Sequence, residues 1–354
     1  MSLIKTALTS IRVKYPNNLD RDEHRRIQHG LLQSAIDQTN STNSIIDNDL
    51  KDKAMKSEGL QLEIPVLKRG NVTIKNIRSC VINGGRSESD LVSVTWKTLV
   101  ADIELVPSYY ENNQIKKDAD LAKQLSEVTN AFIKDIEVTL EATLDAKKTQ
   151  IYRSSIVTNQ YTLVGGAIRV TKSQERFFFN DVQAINFADD FYNDTIVVIA
   201  NHNVMPLVSW YTHQGESNYE NTRFQFAGKD FYFSNQIENE SGVVGTAYFM
   251  PNGTLGILSR VNVDARLGHV ASDGTEWAED TIPGFPFRVG IMRKSVCADK
   301  STYDATGTAH LTATMLEQWQ ISVDYAVLTP YESDPANQPT AIRKVEFVAD
   351  PVTP

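Results

Sequence analysis

The sequence predicts an α+β fold, and three observations carry that prediction. Apolar and polar residues alternate over residues 60–66 and again over 319–327, the pattern of half-buried strands. Between Ala119 and Ile151 there is neither proline nor glycine, and apolar residues return every three or four positions, the stripe of one long helix. Residues 152–317 mix the two patterns.

Residues 1–58 are polar and poor in glycine. Asp20 followed by Glu23 resembles a capping box, and Ile27, Leu31, Leu32, Ala35 and Ile36 recur at helical spacing. The run then breaks in the amide- and hydroxyl-rich stretch Gln38–Ser44. This predicts an arm with one short amphipathic helix, since the segment has too few apolar residues for a core of its own.

Leu60, Leu62, Ile64 and Val66 form one strand pattern, and Val72 and Ile74 begin another. After the turn signal Asn83-Gly84-Gly85, Val92, Val94 and Trp96 alternate, and the phase then switches to Leu99, Ala101, Ile103 and Leu105. The switch predicts a bulge or sharp twist near Lys97-Thr98. Together these strands predict an extended hairpin over 59–106 with a polar tip.

The long helix is read from Leu121, Leu125, Val128, Phe132, Ile136, Leu140 and Leu144. About 30 residues at ~1.5 Å each give a rod of roughly 45 Å. Further on, the pattern predicts a helix over 177–192, a strand over 195–200 and a hairpin over 221–233 turning at Gly228-Lys229. Pro251-Asn252-Gly253 is a hairpin turn signal between Tyr248–Met250 and Leu255–Leu258. Residues 264–290 are loop-rich, and strands follow over 319–327 and 345–348. No internal repeat is visible.

Composition narrows the function. The chain has 354 residues, 41% hydrophobic and 22% charged, which suits folded domains and not bulk disorder. Its net charge of −9 is a poor basis for gripping nucleic acid phosphates. No stretch reaches the ~18 apolar residues that a membrane-spanning helix needs, so no membrane residence is expected. Cys80 and Cys297 lie far apart and read as reduced thiols of a cytoplasmic protein.

Chemistry-bearing motifs are scarce. Gly228-Lys229 lacks the upstream glycine of a phosphate loop, and Val164-Gly165-Gly166 does not extend to dinucleotide-binding spacing. His24 and His29 are five residues apart and do not share a helical face. His202 and His213 with Asp189, Asp190 or Asp194 form the one weak catalytic constellation. The expectation is no catalytic, cofactor-binding or metal-binding residue.

Charge is distributed unevenly. Residues 59–87 carry Lys68, Arg69, Lys75, Arg78 and Arg86 against Glu63 alone, a net of +4. Residues 111–145 carry eight carboxylates against four lysines, a net of −4. Either both are solvated faces, or a basic hairpin of one copy lies on the acidic helix of another. On the second reading the inter-subunit contacts are Lys68, Arg69, Lys75, Arg78, Arg86, Asp118, Asp135, Glu137 and Glu141.

Taken in order, these parts resemble the major capsid proteins of tailed double-stranded DNA bacteriophages, the Hong Kong 97-type fold. The passage Val92–Pro107, leading into the helix that ends Glu137–Leu144, is similar to the family's extended loop entering its spine helix. Pro251–Arg260 is similar to a strand–turn–strand of its axial domain. The resemblance implies an N-terminal arm (1–58), an extended loop (E-loop, 59–106), a peripheral domain with the spine helix (107–175 and 318–354) and an axial domain (176–317).

It implies a structural protein, not an enzyme, with no cofactor, assembling with itself into hexamers and pentamers of an icosahedral virion shell in the host bacterial cytoplasm. Scaffolding, portal and decoration proteins are the further partners it implies, with only weak nonspecific contact to packaged DNA. A long N-terminal scaffolding segment is not evident, which implies a separate scaffold or none, and no residue identifies a covalent cross-link. An encapsulin-like nanocompartment shell and a soluble enzyme or binding protein are the alternatives.

Overall fold

The computed structural model describes residues 3–14, 29–57, 62–67, 88–110, 116–191, 195–212, 223–226, 229–303, 306, 309–332 and 337–350. Three N-terminal helices come first, α1 (Leu3–Lys14), α2 (Gly30–Thr39) and α3 (Asn48–Lys56). Strands β1 (Glu63–Leu67), β2 (Ser89–Ser93) and β3 (Lys97–Leu105) lead to the long helix α4 (Lys117–Lys147). Then come α5 (Ser155–Gln160), β4 (Thr162–Val164), β5 (Ala167–Thr171), α6 (Glu175–Ala188), β6 (Ile196–Asn201) and α7 (Met205–Thr212). The remainder is β7 (Arg223–Phe226), β8 (Lys229–Ser234), β9 (Val243–Pro251), β10 (Gly256–Arg260), α8 (Val263–Leu267), β11 (Glu276–Thr281), β12 (Arg288–Tyr303), β13 (Ala309–Leu328) and β14 (Arg343–Val348).

Helix α4 has 31 residues, about 46 Å at ~1.5 Å per residue. The predicted stripe is its buried face. Asp118 and Asp120 in the first turn and Lys147 in the last suit the helix dipole.

The strands form a seven-stranded sheet of order β4-β5-β14-β9-β6-β8-β7, a five-stranded sheet and the separate pair β1-β2. In the seven-stranded sheet the period of two assigns each face its own cluster. Val197, Ile199, Tyr232, Tyr248 and Met250 join α2 and α4 in one core. Val198, Ala200, Phe231, Phe233, Phe249 and Phe347 join Phe178, Phe179 and Val182 of α6 in another. Covered on both faces, β6 is buried at every position, which explains its unbroken apolar run.

In the five-stranded sheet, β13 pairs with β12 over its first part and with β10 over its last. Strand β3 takes the opposite edge. Beyond Leu316, β12 and β13 continue to Tyr303↔Ala309 as a ribbon of about 25 Å with no third strand among the described residues.

Several sequence expectations are corrected here. Pro251-Asn252-Gly253 does not close a hairpin, because β9 pairs with β6 and β14 while β10 pairs with β13. The turn carries the chain from one sheet to the other. Gly253, at φ +89°, has the Asn43 carbonyl oxygen 2.1 Å from where a Cβ would stand, so the N-terminal segment packs directly on it.

The phase switch near Lys97 is no bulge. It is the passage from the β1–β2 pair into β3, which belongs to the five-stranded sheet. The segment read as an arm with one helix has three helices among its described residues, and two of them pack on their own chain: Ile4, Leu8, Ile11, Leu31, Leu32 and Ala35 all lie in the main core. The Asp20–Glu23 pair lies outside the described residues. Strands β5 and β14 share a sheet with β9, β6 and β8, so hydrogen bonding crosses the boundary expected between 175 and 176.

Phe132 is buried with its ring edge-on to Phe285 at 5.8 Å, whereas Lys134 is exposed. Phe132→Ala is expected to cost about 3–5 kcal/mol and Lys134→Ala under about 0.5. Denaturant unfolding of the two variants checks this; equal midpoints would show that the stripe is not the packing face.

Candidate functional site

The carboxylates of α4 were the sequence's candidates for contact with another copy. Their geometry shows what each one holds. Asp118 accepts a hydrogen bond from Ser10 Oγ of α1 at 3.3 Å. Asp120 accepts from Tyr110 Oη at 2.5 Å and from Gln124. Asp135 accepts from Lys97 Nζ at 2.6 Å and from Tyr325 Oη at 3.1 Å, binding α4 to the five-stranded sheet. Glu141 accepts from Tyr248 Oη at 3.0 Å, binding α4 to the seven-stranded sheet.

Asp145 faces Lys148 at 2.8 Å and Lys344 at 3.0 Å. Partial burial opposes its charge, yet these two ammonium groups hold its carboxyl below the usual range. Glu127 is the exposed member, 4.0 Å from Lys123 one turn away.

Glu137 requires a correction. It is fully buried, so it cannot be a contact between subunits. The Leu32 N–H donates to its Oε1 at 3.0 Å and Ser234 Oγ donates to its Oε2 at 2.5 Å. It therefore caps the N-terminus of α2 from across the core, where residue 29 supplies no side-chain cap. Gly30 permits this docking, because a Cβ there would stand 2.1 Å from the Phe233 carbonyl oxygen. Burial pushes the Glu137 carboxyl up to about 7, against the opposing pull of the Ser234 and backbone hydrogen bonds.

Of the other expected contacts, Lys68, Arg69, Lys75, Arg78 and Arg86 lie outside the described residues. Asp118, Asp135 and Glu141 are only partly buried, but each already has an intramolecular partner.

Two further polar clusters join chain segments distant in sequence. Arg343 of β14 and Asp189 meet at 2.8 Å with both side chains fully buried. The Arg153 N–H also donates to Asp189, at 2.9 Å. In the five-stranded sheet, Glu317 accepts from Arg293 Nε at 2.7 Å, from Trp319 Nε1 at 3.0 Å and from Lys117. Burial would raise the Glu317 carboxyl, but the two cations more than offset it and leave it below its usual range.

Two carboxylates of the weak catalytic constellation have other partners. Asp189 is engaged by Arg343, and Asp190 pairs with Arg153 at 2.8 Å; His213 and Asp194 lie outside the described residues. No group of three or more potential metal ligands occurs among the described residues. A cleft of about 470 Å³ opens between the end of α4, residues 92–95 and residues 327–332. Neither histidine nor cysteine lines it.

Sequence reasoning also missed the distal β12–β13 ribbon. The ribbon had a signal: residues 291–306 hold no glycine or proline, and Gly307 closes the stretch.

Glu137 gives a pH dependence of known sign. Its carboxyl titrates near 4.5 when unfolded and about 7 when folded, so the folded chain retains a proton that the unfolded chain has released. The contribution is complete below about pH 4.5 and is lost as pH rises through about 7, a difference of about 3 kcal/mol. Glu137→Gln keeps an acceptor for Leu32 and removes the titration. Denaturant unfolding at pH 5 and pH 8 is expected to show a smaller loss of stability in Glu137→Gln than in the parent. Equal losses would mean that Glu137 does not titrate in this window.

No protein-family model and no curated protein matches this chain. Solved structures do resemble it at low identity. One is described as Mycobacterium phage Che8, at 10% identity over 85% of this chain and 88% of that one, with a TM-score of 0.47. The capsid of Ralstonia phage GP4 is similar at 9% identity over 83% and 84%, TM-score 0.43. The capsid structure of the cyanophage P-SCSP1u is similar at 9% identity over 82% and 83%, TM-score 0.42.

Proposed function

We propose that this chain is a structural subunit that assembles with itself into the hexamers and pentamers of an icosahedral phage head around a DNA genome. The observation that carries this reading is two ribbons of two strands each, the separate pair β1–β2 and the distal part of β12–β13. In β1–β2 the strands pair from Glu63↔Ser93 to Leu67↔Ser89, with residues 68–88 between them, and no third strand joins them among the described residues. The distal part of β12–β13 has the same form. A two-stranded ribbon is marginal in water by itself, so each is a contact element awaiting a neighbour.

In this reading residues 1–58 are the N-arm, with α1 and α2 packed on their own chain, and residues 59–106 are the E-loop. The expected division, 107–175 with 318–354 as peripheral and 176–317 as axial, is redrawn along the sheets: the five-stranded sheet with α4 is the peripheral unit, and the seven-stranded sheet with α5–α7 the axial unit. The five basic residues between Lys68 and Arg86 meet a neighbour's partly exposed carboxylates, Asp118, Asp135 or Glu141. Glu137 takes no part. Scaffolding, portal and decoration proteins would be secondary partners, assembly would take place in the host bacterial cytoplasm, and the role is structural and not catalytic.

Electron microscopy and sedimentation of the purified chain test the reading: closed shells are expected, and a monomer at every concentration would overturn it. Exposed ion pairs are worth only about 0–1 kcal/mol each, but repetition around a shell makes them act together. Lys75→Glu with Arg78→Glu is therefore expected to leave the subunit folded and to lower particle yield. Unchanged yield at both low and high salt would remove the basic hairpin from the contact. With its net charge of −9, the subunit is also expected to release duplex DNA at moderate salt. Retention with a steep log–log salt slope would contradict the weak-contact reading.

A further inference from the structure

We infer that Arg260 is a positioning residue that clamps both roots of the β1–β2 ribbon and so sets the direction in which it leaves the body. The inference rests on the proposed function only where it concerns assembly.

Arg260 is the last residue of β10 and lies opposite Asp324 of β13. Its Nε donates to Asp324 Oδ2 at 2.9 Å. Its Nη1 donates to the Ser57 carbonyl oxygen at 2.8 Å and to Ser57 Oγ at 3.1 Å. Ser57 closes α3, six residues before β1 begins at Glu63. On the other root, the guanidinium lies over the Trp96 ring, 4.2 Å from its centroid. Trp96 follows β2 and precedes β3. One side chain thus touches the entry, the exit and the sheet.

The surrounding contacts make this a built junction. Asp324 also accepts from Thr98 Oγ1 at 2.7 Å, tying β3 to the same carboxylate. The Val94 N–H donates to the Leu62 carbonyl at 2.8 Å, and Leu62, Val94, Ala54, Leu258 and Ala326 share a small separate core. Trp96 Nε1 is buried and has no hydrogen-bond partner among the described residues, and the Arg260 guanidinium stacks on the ring. Arginine alone suits the position. Its planar fork donates in several directions while its face stacks, which a lysine ammonium cannot reproduce.

The test is a distance measurement on the dissociated full-length chain. With Cys80→Ser and Cys297→Ser as background, spin labels are placed through Leu91→Cys on β2 and Val138→Cys on α4, both exposed at 60% and 48%. A narrow distance distribution is expected for the parent. Arg260→Met is expected to lose the narrow component while the circular dichroism of the body persists. Arg260→Lys is expected to restore it only in part. Trp96→Leu, which leaves the Arg260–Asp324 pair in place, is expected to broaden the distribution as well, and it supplies the measurement if Arg260→Met fails to fold.

A distribution as narrow as the parent's in the folded variants would overturn the clamp. Particle yield is read separately. Broadening with lost or misshapen particles supports both the clamp and its role in assembly, whereas broadening with normal particles keeps the clamp and removes that role. A parent that forms no particles at all fails the proposed function and leaves the distance test standing on its own result.

Discussion

Burial of the α4 stripe is the contact through which the separate parts of this chain become one body. Leu121 through Leu144 share a single core with residues of both sheets and with α1 and α2. A helix of 31 residues gains little from intrinsic propensity compared with what it gains from packing an apolar face. The sheets in turn need a cover, since β6 is buried at every position and β13 carries fully buried Trp319 and Tyr325. Each surface supplies what the other lacks.

The polar groups on α4 then fix the register of that packing. Asp135 reaches Tyr325 of the five-stranded sheet, and Glu141 reaches Tyr248 of the seven-stranded sheet. Apolar contact is non-directional, whereas these hydrogen bonds accept one placement along the helix. Glu137 shows the cost of the device. An ionised carboxylate in a dry core is unfavourable, so burial raises its pKa toward neutrality even as it satisfies the first turn of α2. Its place is structural, and its negative formal charge says nothing of the surface.

That last point marks where the sequence stopped being legible. Periodicity is local, so the long helix, the covered strand β6 and the alternation over 319–327 could all be read directly. Sheet membership is not local. Tyr248–Met250 and Leu255–Leu258 flank a turn signal, yet they enter different sheets, β9 pairing with β6 and β14 while β10 pairs with β13. The same limit hid the destination of β3 and the docking of α1 and α2. Helical spacing does separate Glu137, three and seven residues before Leu140 and Leu144, from Glu127 on the far side of the stripe; counting both as acidic charge of one segment hid the difference. Facing inward, Glu137 meets a helix N-terminus; facing outward, Glu127 meets solvent and one lysine.

The roots of the β1–β2 ribbon follow the same physical logic on a smaller scale. A ribbon of five paired residues per strand has little stability of its own, so its direction must be fixed where it joins the body. Apolar residues around Leu62 and Val94 close that junction without setting an angle. Directional contacts are needed, and they converge on Arg260 and Asp324, which are paired across β10 and β13. Because β13 also pairs with β3, the clamp is anchored to the sheet that packs on α4. Any force on the ribbon is therefore passed through β13 to the core that α4 shares with both sheets, and an element too weak to hold itself is aimed by one that is well packed.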